Sequence, residues 1–197
     1  MITANINTIT GKGVAITGDD IDTDRITPAR FLKELTFDNF GSYVFFDERE
    51  QLKQEGKLHP LDDPKFKNAK FLIVNSNFGC GSSREHAAQA IKRWGIDCII
   101  GESFSEIFYN NCISVGMPCL RVTKDVSTQI QAQVIVNSEI NFSLDLQENL
   151  LLVAGQKVTY VIPEGVRKSY LEGTWDATSM LLQNKKKVIE TDMSLPY

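Results

Sequence analysis

From Phe71 to Val122 the sequence alternates short apolar runs with longer helix-like runs: strand Phe71–Asn75, helix Ser83–Trp94, strand Cys98–Ile100, helix Ser103–Val115, strand Cys119–Val122. Two consecutive strand–helix–strand units constrain the fold more than any other feature of the chain. Strands joined through a packed helix lie parallel, with right-handed crossovers. Gly95 and Gly116 stand where the two helices should stop. The expectation is an α/β fold with a mostly parallel central sheet.

The flanks are less regular. Lys12–Thr17 reads as a first strand, and Gly18–Asp24 as a loop rich in turn residues and acids. Pro28 is suited to start a short helix over Ala29–Glu34. The stretch 36–69 is polar and weakly periodic, an irregular insertion with a helix expected around Glu48–Glu55 and turns at His59-Pro60 and Asp62-Asp63-Pro64. Such a stretch is usually functional or covers something. Gln133–Asn137, Glu139–Leu146, Leu150–Val153 and Gln156–Val161 read as short strands, with Asn149 and Gly155 in turns. Arg167–Glu172 and Thr174–Leu182 read as closing helices. Without a repeat or a linker, residues 1–197 read as a single domain.

Bulk properties exclude several classes. Lys and Arg number 21 against 25 Asp and Glu, a formal charge of −4. That balance argues against nucleic acid, and Lys185-Lys186-Lys187 reads as a solvated helix end. No apolar run approaches the ~20 residues that cross a membrane. The first residues, Met1-Ile2-Thr3-Ala4-Asn5, lack the pattern of a signal peptide, so a cytoplasmic location is expected. The four cysteines, Cys80, Cys98, Cys112 and Cys119, form no C-x-x-C pair, and three of them sit in apolar surroundings as expected of buried free thiols. With two histidines, His59 and His86, no metal site made by this chain is expected.

The chemistry concentrates in Asn77-Phe78-Gly79-Cys80-Gly81-Ser82-Ser83-Arg84-Glu85-His86-Ala87-Ala88. The glycines let the backbone bend and approach a ligand. A helix start supplies free N–H groups and partial positive charge, and Arg84 adds a guanidinium. This is a site for a carboxylate with a hydroxyl beside it. Ser82 has two readings. Ser82-Ser83-Arg84-Glu85 fits the capping box, in which serine and glutamate satisfy backbone donors. Alternatively one serine stays free for proton chemistry, its anion favoured by the helix start and Arg84. Neither a nucleophile elbow nor a P-loop fits, because Cys80 and Arg84 flank Ser82 at two residues and no G-K-S/T follows. His86, one turn beyond Ser82, fits either a substrate contact or a structural histidine. Asp19-Asp20-Ile21-Asp22-Thr23-Asp24-Arg25 lacks the glycine and terminal glutamate of a calcium loop. Its acids are expected to cap the helix after Pro28 or pair with Arg25 or Arg30, and one is free to steer a catalytic group.

These residues resemble a family. Asp22–Leu32, Asn77–Ala87, Gly101–Cys112 and Tyr170–Thr178 together resemble the small subunits of 3-isopropylmalate dehydratase, in the aconitase superfamily, in the same order along nearly the whole chain. The resemblance implies a swivelling β/β/α domain like the last domain of aconitase. It implies a separate large subunit carrying a 4Fe–4S cluster, with no cofactor on this chain. Residue by residue, it implies that Ser82 is the catalytic base, Arg84 holds a substrate carboxylate and Ser83 belongs to the same anion pocket. Asp24 matches the active-site acid, and Arg30, Phe31 and Leu32 fall where the family carries substrate specificity. The implied reaction is isomerisation of 2-isopropylmalate to 3-isopropylmalate by dehydration and rehydration, a step of leucine biosynthesis. Two rivals remain: the same chemistry on citraconate, dimethylmalate or homoaconitate, and an anion-binding module without turnover.

Overall fold

The structure is a computed structural model that describes residues 5–34, 36–177, 180–181 and 184–196. Its centre is a seven-stranded sheet in the order β4-β3-β2-β1-β5-β6-β7. The strands are β1 (Thr8–Ala15), β2 (Phe71–Ile73), β3 (Cys98–Gly101), β4 (Cys119–Arg121), β5 (Asn141–Asp145), β6 (Leu150–Val153) and β7 (Gln156–Val158). The pairings β1–β2, β2–β3 and β3–β4 are parallel, as the two strand–helix–strand units require. Helix α3 (Glu85–Trp94) connects β2 to β3, and α4 (Glu106–Ser114) connects β3 to β4. Every residue of β2 and β3 is buried, which explains their unbroken apolar runs.

Strand β1 joins this parallel half to an antiparallel one. Thr8–Lys12 pair antiparallel with β5, whereas Gly13–Ala15 pair parallel with β2. Burial follows the pairing: the first residues alternate and the last three are fully covered. The strand therefore begins four residues before the expected Lys12, because its partner lies more than a hundred residues downstream. The loop between β6 and β7 turns on Ala154 and Gly155, and Asn149 turns the chain into β6, all three with positive φ. Beyond β7, Val161 exchanges two backbone hydrogen bonds with Arg121 of β4, at 3.0 and 2.8 Å. The sheet thus curls until its outer edges touch.

One expected strand is a helix. Gln133–Asn137 carries the β-branched run Val134-Ile135-Val136, yet it closes α5 (Lys124–Val136). Thr123 caps this helix, and Ser127, Ile130, Gln131 and Val134 lie buried at helical spacing. Packing against the sheet outweighs the weak strand preference of the last turn. Two polar side chains of α5 serve the strand ends: Ser127 Oγ donates to the Val74 carbonyl at 2.7 Å, and Gln131 Nε2 donates to the carbonyls of Ile16 and Ile73 and to Asn75 Oδ1. Those groups lie just where the loops after β1 and β2 leave the sheet.

The 36–69 stretch is anchored rather than loose. It contains α2 (Phe46–Gln54) and 3₁₀ turns at Phe40–Tyr43, Pro60–Asp62 and Pro64–Phe66. Phe40, Val44, Phe45, Leu61 and Phe66 enter the core from it. The helix expected after Pro28 is a 3₁₀ turn, Ala29–Lys33. Helix α6 spans Glu164–Glu172, and a further helix spans Lys185–Ser194. The expected helix Thr174–Leu182 falls partly outside the described residues. Among the described residues no helix is long and apolar enough to cross a membrane.

Candidate active site

Strands β1, β2 and β3 are parallel, so Ala15, Ile73 and Gly101 end at one edge of the sheet. Ligand sites of such sheets lie outside this edge. The three loops that leave it continue the pairing in irregular form. Asp20 N donates to the Ser76 carbonyl at 3.0 Å, Gly79 N to Ile21 at 2.7 Å and Thr23 N to Cys80 at 2.9 Å. On the other side Phe78 N donates to Ser103 at 3.1 Å, and Ser105 N to Phe78 at 3.0 Å. The segment 77–82 is therefore bridged on both sides at isolated positions, Cys80 to Asp22 and Phe78 to Phe104. Gly79 has φ +77 and lies against Phe108, where a Cβ would come within 2.2 Å of the ring. No other residue type fits both its backbone and its space.

This frame presents Ser82 and Ser83 on the surface. Among the described residues neither hydroxyl has a hydrogen-bond partner. The capping-box reading of Ser82 is therefore corrected. Helix α3 begins at Glu85, its N-cap is Arg84, and no side chain caps it. Glu85 instead accepts from Gln89 at 2.8 Å. The chain is still extended through Arg84, so Ser82 lies too far before the first helical turn to reach its donors.

Arg84 Nη1 pairs with Asp24 Oδ1. The arginine side chain is 13% exposed and the aspartate 55%. Arg84 is thus held in place through one nitrogen, while the rest of its fork of five N–H donors has no partner among the described residues. Three of the other loop acids are occupied elsewhere. Asp19 accepts from Ser76 N at 3.1 Å, Asp20 from Asn77 Nδ2 at 2.8 Å and Asp22 from Arg25 N at 2.7 Å, capping the short helix α1 (Thr23–Ile26). The expected pairing of these acids with the Arg25 and Arg30 side chains is not what forms. Arg25 reaches Glu48 at 2.7 Å and Arg30 reaches Asp47, because α2 places those acids closer.

The specificity candidates form a neighbouring aromatic row. Phe31 stacks on Tyr43 at 4.0 Å, Tyr43 meets Phe40 at 5.4 Å, and Phe40 meets His86 at 5.5 Å. Arg30 lies over Phe31 at 4.7 Å, and Leu32 is half-buried. The row connects the 30–33 turn to the first turn of α3, next to Arg84. His86 also packs against Phe37 at 5.2 Å.

Cys80 is half-exposed, and burial together with the charges of Asp22 and Asp20 pushes its thiol pKa up. Cys98, Cys112 and Cys119 are buried in the core. Among the described residues no group of three or more His, Cys, Asp or Glu is arranged to hold a metal ion. The sequence reading missed Thr23. This residue is 1% exposed, and its Oγ1 donates to the Ser82 carbonyl at 2.9 Å. It lies in a quoted motif, but a partner 59 residues away leaves no local trace.

Residues 3–125 match the family described as the aconitase C-terminal domain. The 3-isopropylmalate dehydratase small subunit of Synechocystis sp. is 42% identical over 194 residues, covering 98% of this chain and 96% of its own. Its counterpart from Thermus thermophilus is 44% identical over 189 residues, covering 96% of this chain and 94% of its own. Among solved structures, a 3-isopropylmalate dehydratase from Methanocaldococcus jannaschii superimposes with a TM-score of 0.65 at 26% identity. The match covers 91% of this chain and 99% of that one.

Proposed function

Since the chain belongs to the family of 3-isopropylmalate dehydratase small subunits, we propose that its 77–84 loop and Asp24 are one half of an active site that a large subunit completes. The fold is the swivelling β/β/α domain of the aconitase superfamily, here read as one domain over the chain. The activity is that of a hydro-lyase of leucine biosynthesis, converting 2-isopropylmalate to 3-isopropylmalate by loss and re-addition of water. A cytoplasmic location goes with that pathway.

The observation that carries the assignment of roles is Arg84 held by Asp24 on one nitrogen, two residues after Ser82, whose hydroxyl has no partner among the described residues. Ser82 accepts the proton from the carbon next to a substrate carboxylate. A serine oxygen does this only where its anion is favoured, and Arg84 and the uncapped start of α3 supply positive potential. Proton loss turns that carboxylate into an aci-carboxylate dianion. The free part of the Arg84 fork meets the charge as it forms, which is electrostatic stabilisation set up in advance. Asp24 keeps the guanidinium oriented, and Ser83 offers a second hydroxyl to the same anion. Hydroxide leaves from the neighbouring carbon, and water returns with the two positions exchanged. The aromatic row from Phe31, with Arg30 and Leu32 beside it, faces the choice of diacid side chain.

The 4Fe–4S cluster that the family implies does not fit the donors of this chain. Only Cys80 is at the candidate site, and the other three thiols are buried. We assign the cluster to the large subunit and route no step of this chain through it. The test is anaerobic co-expression with the large subunit, followed by turnover of a panel: 2-isopropylmalate, citraconate, dimethylmalate and homoaconitate. Turnover of 2-isopropylmalate only by the complex is expected. Preference for another diacid would overturn the substrate assignment. Dicarboxylate binding by the isolated chain, with no turnover in the complex, would leave only an anion-binding module.

A further inference from the structure

We propose that Ser105 is a positioning residue for Ser82, holding the catalytic loop through a hydrogen bond to the Gly79 carbonyl. The inference rests on the reading of Ser82 as proton acceptor and deepens it. Ser105 occupies the N-cap position of α4, with the extended backbone of a cap, φ −65 and ψ 145. A serine there ordinarily accepts from the helix N–H groups and contributes about 1 kcal/mol. Here its hydroxyl makes no cap hydrogen bond. It donates instead to the Gly79 carbonyl at 2.5 Å, across 26 residues of chain.

The consequence for Ser82 follows from how the loop is held. The Ser82 hydroxyl has no partner among the described residues, so the backbone alone sets its position. That backbone turns at Gly79 and Gly81, with φ +77 and +88, and lies outside the regular sheet. Among the described residues two side-chain hydroxyls grip its carbonyls, Thr23 at Ser82 and Ser105 at Gly79, and Ser103 Oγ accepts from Asn77 N at its start. Thr23 is part of the loop from β1, whereas Ser105 belongs to the loop from β3. The segment is therefore fixed from both sides, and Phe108, one turn further along α4, packs on Gly79 from the Ser105 side. Without the Ser105 hydroxyl, the Gly79 carbonyl is released and the segment can shift about its two glycine turns. Misplacement of a catalytic group by about 1 Å costs on the order of 100-fold in rate.

The test uses the complex with the large subunit and the variants Ser105→Ala, Ser105→Thr and, in parallel, Ser82→Ala. With Ser105→Ala, kcat should fall about 10- to 100-fold while KM stays within about twofold, because Arg84 and its partner Asp24 are untouched. Ser105→Thr keeps the hydroxyl and should restore most of kcat. A merely structural role would lower the melting temperature and leave kcat of the folded complex unchanged. An inactive Ser82→Ala beside an unimpaired Ser105→Ala overturns this inference alone. Equal loss in folded Ser105→Ala and Ser105→Thr also overturns it. A near-normal Ser82→Ala overturns the reading beneath it.

Discussion

Two glycines in one loop permit a controlled measurement of what the loop needs. Gly79 and Gly81 have φ +77 and +88, so alanine at either carries the same backbone penalty, roughly 1–2 kcal/mol for an L-residue held in the left-handed region. Their surroundings differ. At Gly81 an added Cβ approaches nothing closer than Asp22 Cβ at 3.4 Å, an ordinary contact. At Gly79 it would sit 2.2 Å from Phe108 Cγ and 2.6 Å from Phe108 Cβ, against 3.5–4.0 Å for relaxed carbon contacts. Phe108 cannot easily retreat, being 1% exposed and packed edge-on to Phe78 at 5.3 Å. Overpacking of this kind adds about 1–3 kcal/mol. Gly81→Ala should therefore cost about 1–2 kcal/mol and Gly79→Ala about 2–5 kcal/mol. Urea denaturation of the purified chain, with the same slope for both variants, reads the difference directly. Equal costs, or a smaller one at Gly79, would refute the close approach of this loop to α4.

Ser82→Ala in the assembled enzyme should lower kcat by about 10²–10⁴ and move stability by no more than about 0.5 kcal/mol, since the serine caps nothing; a kcat near that of the parent would falsify the base role. Arg84→Lys keeps charge but loses the planar fork, so KM should rise and kcat fall together, a loss of roughly 1.5–3 kcal/mol in kcat/KM; unchanged kinetics would exclude a bidentate grip on substrate. His59 is buried, and burial holds its pKa down to about 4, whereas an unfolded histidine titrates near 6.5. Between these values only the unfolded chain takes the proton, so stability should fall by up to about 3 kcal/mol as pH drops from 6.5 to 4. His59→Asn keeps an acceptor for Leu61 N and should flatten that part of the profile, which denaturation at a series of pH values will decide.

Much of the parallel half was legible because each of its elements is locally consistent. The apolar runs of β2 and β3, the glycines at Gly95 and Gly116 and the amphipathic α3 all announce the same arrangement within a few residues of themselves. The antiparallel half was legible at β6, where Asn149 and Gly155 bracket a short apolar run, but not at the start of β1, whose pairing with β5 is remote. Val134-Ile135-Val136 misled for a different reason. Its residues prefer strand, but Ser127, Ile130, Gln131 and Val134 have helical spacing, and burial follows the spacing. At the candidate site, Ser82, Arg84 and Asp24 stand in the motifs themselves. The contacts of Thr23 and Ser105 were not legible there, since a hydroxyl that grips a carbonyl from another loop looks like any other hydroxyl until the fold brings the two together.

The local rules that the site breaks lie together, and that clustering has a physical meaning. Helix α3 starts on Arg84, with no side-chain cap although Ser82 and Ser83 precede it. Helix α4 starts on Ser105, a good capping residue whose hydroxyl is directed at Gly79. A missing cap costs about 1 kcal/mol, so two helices facing the same loop each give up a comparable amount. For α3 the loss leaves the first-turn N–H groups and their positive potential without a side-chain cap, at the end of the loop that carries Ser82. For α4 it turns a local contact into a long-range one, on the Gly79 carbonyl three residues before Ser82. Neither choice is explained by stability of the chain alone, because Ser82 and Ser83 could have capped α3 had the helix begun earlier, and Ser105 already has the backbone of a cap. Both accord with the role proposed for Ser82, an exposed hydroxyl held by its backbone while its own oxygen is left for substrate.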